Sequence, residues 1–151
     1  MKEERVMRTY QLYIIDDVFA SHYFGRESMF FQLFKEYDEA IGELQSILAK
    51  QIAFITKPIP SIRLHQYIQQ QLQNTKGFQM SQGTYVIEYG KNSSARLEVL
   101  DRYLIIEADG SYEAETCFFE VLRKNEGAFL AVDIKSNRYG WLKPIKERKF
   151  V

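Results

Sequence analysis

The chain is poor in the residues that cross-link small proteins. Its 151 residues include one cysteine, Cys117, and two histidines, His22 and His65. Because a disulfide needs two thiols and a structural zinc site usually needs four Cys or His ligands, this chain alone can assemble neither. A reducing compartment, the cytoplasm, is therefore the expected location. A chain of this length can also bury enough apolar surface to fold without such cross-links.

Net charge and long apolar runs are missing as well. Lys and Arg together number 20, and so do Asp and Glu. This balance argues against a nucleic-acid binder, because release of counterions from phosphates drives that association. The first seventeen residues lack the uncharged apolar segment of a signal peptide, and no apolar run approaches the roughly 18 residues of a membrane span. We interpret the basic last nine residues, KPIKERKFV, as a solvated terminus.

Aromatic residues, in contrast, are abundant, at 15% of the chain with 11 Phe and 10 Tyr. They can fill a dense core and leave some side chains for a binding surface, where Tyr and Phe are favoured. No stretch is rich enough in Gly, Ser or Pro to be an interdomain linker, and there is no internal repeat. We therefore expect one domain over residues 1–151.

The spacing of apolar residues predicts the secondary structure. Alternation of apolar and polar residues predicts strands, and apolar residues three or four apart predict helices. Six strands are predicted, over residues 10–15, 85–89, 96–100, 103–107, 128–134 and 139–145. Helices are predicted from Asp16 to Gly25, from near Glu27 or Ser28, from Leu44 to Ile55, after a Ser61 cap and after a Ser111 cap. The expected fold is α+β: a mixed β-sheet of about five to six strands with α-helices packed against it, in a single compact domain.

Few residues suggest catalysis. The chain has no phosphate-binding glycine loop, no H-E-x-x-H zinc motif and no G-x-S-x-G nucleophile motif. Cys117 lies at an apolar position of a predicted helix and is interpreted as a small buried hydrophobe. Trp141 is likewise expected to be a buried core aromatic. His22, with Arg26 and Glu27 close by, keeps open a small enzyme or ligand-binding domain that uses a general acid–base.

An aromatic pair in the first predicted helix allows two interpretations. Phe19 and Tyr23 are four residues apart and so share one face of that helix. If Val18 and Phe24 supply the core contacts of the helix, the pair is surplus to the core and available for binding. If they do not, the pair itself is core.

Four longer strings closely resemble one known family. FASHYFGRESMFFQLF, QIAFITKPIP, GSYEAETCFFEVLRK and NRYGWLKPIKERKFV are similar, in the same order, to the SirA family of sporulation inhibitors of replication from spore-forming Gram-positive bacteria. The resemblance implies a protein that binds domain I of the replication initiator DnaA and prevents new rounds of replication. It implies no catalysis, no cofactor, no small-molecule substrate, and no direct contact with nucleic acid or membrane.

The resemblance also implies the position of the binding surface. The aromatic pair of the family's FxxxYF motif falls on Phe19 and Tyr23, and the glutamine before the I-x-x-I-T-x-P stretch falls on Gln51. An aromatic anchor with a polar edge is typical of protein interfaces. Two alternatives stay open at this point, namely the enzyme or ligand-binding domain that uses His22 and a nucleic-acid binder.

Overall fold

The sheet is built around two central strands that are rich in buried residues. The computed structural model describes residues 7–125 and 128–143. Its helices are α1 (Asp17–His22), α2 (Ser28–Glu39), α3 (Gly42–Ile55), α4 (Ser61–Leu72) and α5 (Glu113–Arg123). Its strands are β1 (Arg8–Ile15), β2 (Thr56–Lys57), β3 (Phe78–Ser81), β4 (Thr84–Tyr89), β5 (Ser93–Val99), β6 (Leu104–Gly110), β7 (Ala128–Asp133) and β8 (Arg138–Trp141).

All these strands belong to one sheet with the order β3-β4-β5-β6-β1-β7-β8, and β2 pairs with the end of β1. The α+β class is confirmed. The eight strands exceed the expected five to six, because β2 and β3 are too short for an alternating pattern to be visible. Every pairing between described strands is antiparallel, so the expectation of a mixed sheet was wrong.

The central strands β1 and β7 are covered on both faces. Side chains of β1 alternate, so Leu12 and Ile14 face one apolar cluster while Tyr13 and Ile15 face another. A strand buried on both faces needs apolar residues at consecutive positions, which explains the run LYII. In β5, by contrast, buried residues alternate with more exposed ones, as in a strand covered on one face.

Helices α4 and α5 cover the first face. The buried stripe of α4 is Leu64, Ile68 and Leu72, whereas the spacing leaves Tyr67 or Ile68 open for the middle position. In α5, Phe118 and Leu122 are buried, and Glu115 forms a buried ion pair with Arg8 of β1. Cys117 is half-buried against this cluster, and burial raises the pKa of its thiol. A raised pKa makes the thiol a poorer nucleophile, in agreement with a structural role.

The expected helix caps differ from those observed. Ser61 and Ser111 do not cap α4 and α5. Instead the hydroxyl of Ser93, on the neighbouring strand β5, accepts a hydrogen bond from Ala114 N at 3.0 Å and donates one to Ser111 O at 2.6 Å. A side chain distant in sequence therefore satisfies a free N–H at the start of α5, which local sequence cannot predict.

Helices α1, α2 and α3 cover the opposite face. Their buried side chains, packed against Tyr13, Ile15, Leu130 and Val132 of the sheet, are Ala20, Phe30, Phe31, Phe34 and Ile52. Trp141 packs at the edge of this cluster and is half-buried rather than fully buried as expected. Residues 144–151, which include the end of the last predicted strand and all of the basic tail except Lys143, lie outside the described residues.

Candidate functional site

Helix α1 is held at its first residues to the end of α3. Asp16 caps α1, since its Oδ1 accepts a hydrogen bond from Val18 N at 3.0 Å. Its own backbone N–H donates to Ile55 O at 2.8 Å. Gly25, with φ +80°, then turns the chain into α2, a conformation that glycine adopts without strain. These contacts bring the aromatic residues of α1 next to α3.

The last turn of α3 is fixed by side chains that bind the carbonyls at its end. Thr56 Oγ1 donates to Ile52 O at 2.7 Å, an oxygen that also accepts the backbone N–H of Thr56. Arg102 Nη2 donates to Ala53 O at 3.0 Å and to Thr56 O at 3.1 Å. Because the last carbonyls of a helix lack partners within the helix, these bonds hold its end in place. Gln51 and Phe54, which lie on this last part of α3, are therefore presented from a fixed backbone.

Between α1, α2 and α3 lies an open groove of about 630 Å³. The residues that line it are Phe19, Tyr23, Met29, Phe30, Leu33, Lys50, Gln51, Phe54 and Ile55. The structure thus brings together the three residues singled out from the sequence: Phe19, Tyr23 and Gln51. Their common position makes this groove the candidate binding site.

The aromatic rings are packed on one side and open on the other. Phe19 lies edge-on to Phe54 with the ring centroids 5.3 Å apart, and Tyr23 lies edge-on to Phe30 at 5.6 Å. Phe19 and Tyr23 are both half-buried, whereas Phe54 is 74% exposed. The rings are therefore held in place by core contacts while part of their surface stays accessible, as an anchor for a partner requires.

The interpretation in which Val18 and Phe24 supply the core contacts of α1 was wrong. Both side chains are exposed, and the half-buried Phe19 and Tyr23 make the inward contacts instead. In α2, Met29 has the spacing of a core residue, yet it is 51% exposed and lines the groove. Helix α2 begins SMFFQLF, so its first turns carry apolar residues on several sides. The spacing of these residues therefore does not identify which side of α2 is buried.

A bond from the sheet fixes the turn between α1 and α2. Trp141 Nε1 donates to Glu27 Oε1 at 3.2 Å, and Gly25 N donates to the same oxygen at 3.1 Å. Burial disfavours the charge of Glu27, but hydrogen bonds from its own backbone, Trp141 and Gly25 outweigh this and lower the pKa of its carboxyl. The ionised carboxylate thereby ties β8 to the turn that positions Tyr23.

The alternative of an enzyme or ligand-binding domain that uses His22 has little support in the structure. His22 is exposed, its ring lies edge-on to Tyr23 at 4.9 Å, and it does not line the groove. The polar side chains that line the groove are those of Lys50 and Gln51. Among the described residues no group of three or more His, Cys, Asp or Glu could hold a metal ion. The groove is therefore an apolar surface and does not gather acid–base groups.

Sequence reasoning missed Phe54, Met29 and Lys50 as lining residues. One signal could have revealed Phe54. Helix α3 carries two apolar stripes, a buried one with Leu48 and Ile52 and an exposed one with Leu44, Ile47 and Phe54. A helix that packs on a single sheet face needs only one such stripe. The second stripe is thus a sign of a binding surface.

An α+β domain with an exposed aromatic groove has the features of a protein-binding domain. The family model described as "Sporulation inhibitor of replication protein SirA" matches residues 8–146. The chain is also 46% identical, over 147 residues, to the sporulation inhibitor of replication protein SirA of Bacillus subtilis (strain 168), which covers 95% of this chain and 99% of that protein. The chain therefore belongs to the SirA family, which confirms the resemblance seen in the sequence. In residues 7–125 and 128–143, no helix is long and apolar enough to cross a membrane.

Proposed function

We propose that this protein inhibits initiation of replication during sporulation by binding domain I of the initiator DnaA, with Phe19 and Tyr23 as anchors and Gln51 at the edge. The observation that carries the proposal is that Gln51, on a helix distant in sequence from the Phe19 and Tyr23 pair, lines the same groove as that pair. Membership of a family named for inhibition of replication supports the cellular role.

The protein acts by covering a binding surface of its partner. An initiator whose domain I is covered cannot make the contacts with other initiators or with the helicase loader that domain I otherwise makes. Binding alone suffices, so no cofactor, covalent step or contact with DNA is involved, and the protein acts in the cytoplasm where the initiator is. Specificity then comes from how the partner fits the rings of Phe19, Tyr23 and Phe54.

Alanine variants test the proposal. A central aromatic anchor commonly loses 2 kcal/mol or more on truncation, which is about a thirtyfold weakening. Tyr23→Ala and Phe19→Ala should weaken binding to full-length DnaA by about that factor, as measured by titration calorimetry. Gln51→Ala should weaken it less, because water replaces polar contacts at an edge. DnaA that lacks domain I should not bind.

The matched control is Tyr89→Ala. Tyr89 is an exposed aromatic on β4, in the part of the sheet distant from the groove along the strand order. Its truncation should leave binding unchanged. Because Phe19 and Tyr23 are half-buried, each variant's melting temperature is measured and binding is compared at a temperature where all variants are folded. Unaltered affinity in both aromatic variants would refute the assignment.

A further inference from the structure

The apolar surface of the groove continues along α3. Beyond Phe54 and Gln51, the next side chains on that face are Ile47 and Leu44, which are 47% and 56% exposed. These positions are three or four residues apart and so form one stripe along the helix. At a rise of 1.5 Å per residue the stripe is about 15 Å long. A stripe of this length beside a groove fits an amphipathic helix better than a compact small molecule.

Cationic side chains border this surface. The guanidinium of Arg26 lies 5.0 Å from the centroid of the Tyr23 ring, and its Nη2 donates to His22 O at 3.2 Å. Lys50 lines the groove from α3. Among the ion pairs of the described residues, none includes Arg26 or Lys50. Both charges are thus available to a partner.

The neighbouring carboxylates do not neutralise these cations. Glu27 accepts hydrogen bonds from Trp141 and Gly25. Asp17 pairs with Lys57 at 3.5 Å. A second copy of the chain seated on the groove through a twofold interface would bring the same cations toward each other, which is unfavourable. Charge complementarity therefore favours a different, acidic partner.

We propose that the segment that fills the groove is one amphipathic helix of the partner, with carboxylates beside its apolar stripe that pair with Arg26 and Lys50. This helix extends past Gln51 onto Ile47 and Leu44. The inference rests on the proposed function and specifies the chemistry of the DnaA surface that docks here.

Charge reversal tests the electrostatic part. Arg26→Glu and Lys50→Glu should each weaken binding to full-length DnaA by about threefold to tenfold, mainly through slower association, and should reduce the salt dependence of binding. Arg63→Glu is the matched control. It makes the same charge change on an exposed residue of α4, across the sheet from the groove, and should leave binding within about twofold.

Polar substitution tests the extent of the contact. Ile47→Ser together with Leu44→Ser should weaken binding by about tenfold or more, while Ile62→Ser, at an exposed position of α4, should not. Because all these side chains are exposed, the melting temperatures should stay close to that of the wild-type chain.

The outcomes separate this inference from the proposed function. If Tyr23→Ala abolishes binding but the charge reversals and the serine variants do not weaken it, the proposed function stands and this inference is overturned. If the wild-type chain does not bind DnaA, both are overturned. Sedimentation of the free protein as a dimer that Tyr23→Ala dissociates would identify a second copy as the occupant and would also overturn the inference.

Discussion

The two helical layers on the two faces of the sheet bury their apolar residues to different degrees. Helix α5 buries Phe118 and Leu122 and leaves mainly polar residues outside, as a single amphipathic stripe requires. Helix α3 buries Leu48 and Ile52 but exposes further apolar residues on its other side, among them Phe54. One stripe is enough to hold a helix on a sheet. The difference indicates that the second stripe of α3 contributes little to stability and is available for binding.

The largest expected effect in this comparison is that of Phe118→Ala, in the layer of α4 and α5. Phe118 is 1% exposed. Removing its ring should lower the free energy of unfolding by about 3–5 kcal/mol, because it loses buried area and leaves a cavity. Urea denaturation followed by far-UV circular dichroism measures this loss. A loss below about 1 kcal/mol would contradict the division into a stabilising and a binding layer.

Trp141→Ala should have a smaller effect, of about 2 kcal/mol. The sequence alone suggested a fully buried tryptophan and a loss of about 3–5 kcal/mol. Because the ring is half-buried and packs edge-on against Phe30, with centroids 6.2 Å apart, less area is lost. The same urea measurement distinguishes the two values.

The variant Trp141→Phe isolates the hydrogen bond to Glu27. The pKa of Glu27 is lowered in the folded state, so its contribution to stability is present above the ordinary glutamate pKa of 4.5 and is lost as pH falls through the folded value. Without the Nε1 donor this pKa should rise toward its ordinary value. Stability of the variant should therefore fall less steeply below pH 4.5 than that of the wild-type chain. An identical acid profile would show that this bond does not lower the pKa.

Ser93→Ala should cost about 1 kcal/mol, the usual loss when a helix loses its capping hydroxyl. The alanine leaves Ala114 N without its acceptor on β5. Hydrogen exchange at Ala114 should become faster than in the wild-type chain, while Ser111→Ala should leave it unchanged. Faster exchange in the Ser111 variant alone would show that Ser111 caps α5, as expected from the sequence.

The smallest expected effect on stability is that of Phe54→Ala, at 74% exposure. It should change the free energy of unfolding by less than about 0.5 kcal/mol, as exposed substitutions usually do. If the proposed function holds, binding to DnaA should nevertheless weaken by about tenfold, because Phe54 packs against Phe19 and lines the groove. Equal losses of stability for Phe54→Ala and Phe118→Ala would remove the distinction between the layers.

The sequence predicted where the helices and strands lie better than it predicted which side of each one is buried. Within residues 7–125 and 128–143, periodicity located every helix and six of the strands, because each of these carries enough apolar residues to show a pattern. It missed β2, whose two residues are strand only because they pair with Ile14 and Ile15. It also left open whether Val18 or Phe19 faces the core, since the side of a short helix that meets the sheet depends on tertiary contacts. Spacing singled out Phe19 and Tyr23, but only the resemblance joined them to Gln51, because spacing alone does not bring α1 next to α3.

The position of β1 has a consequence for the order in which the protein folds. This first strand pairs with β6 through residues such as Leu12 and Leu104, and with β7 through pairs such as Ile15 and Ala128. During synthesis at about 5–20 residues per second, β1 and the helices that follow it leave the ribosome many seconds before their partners. Such non-local pairing also makes folding slow. The helices that form the groove rest on β1 and β7, so the groove takes shape only after β7 has been translated, and a chain that ends before β7 should lack the groove.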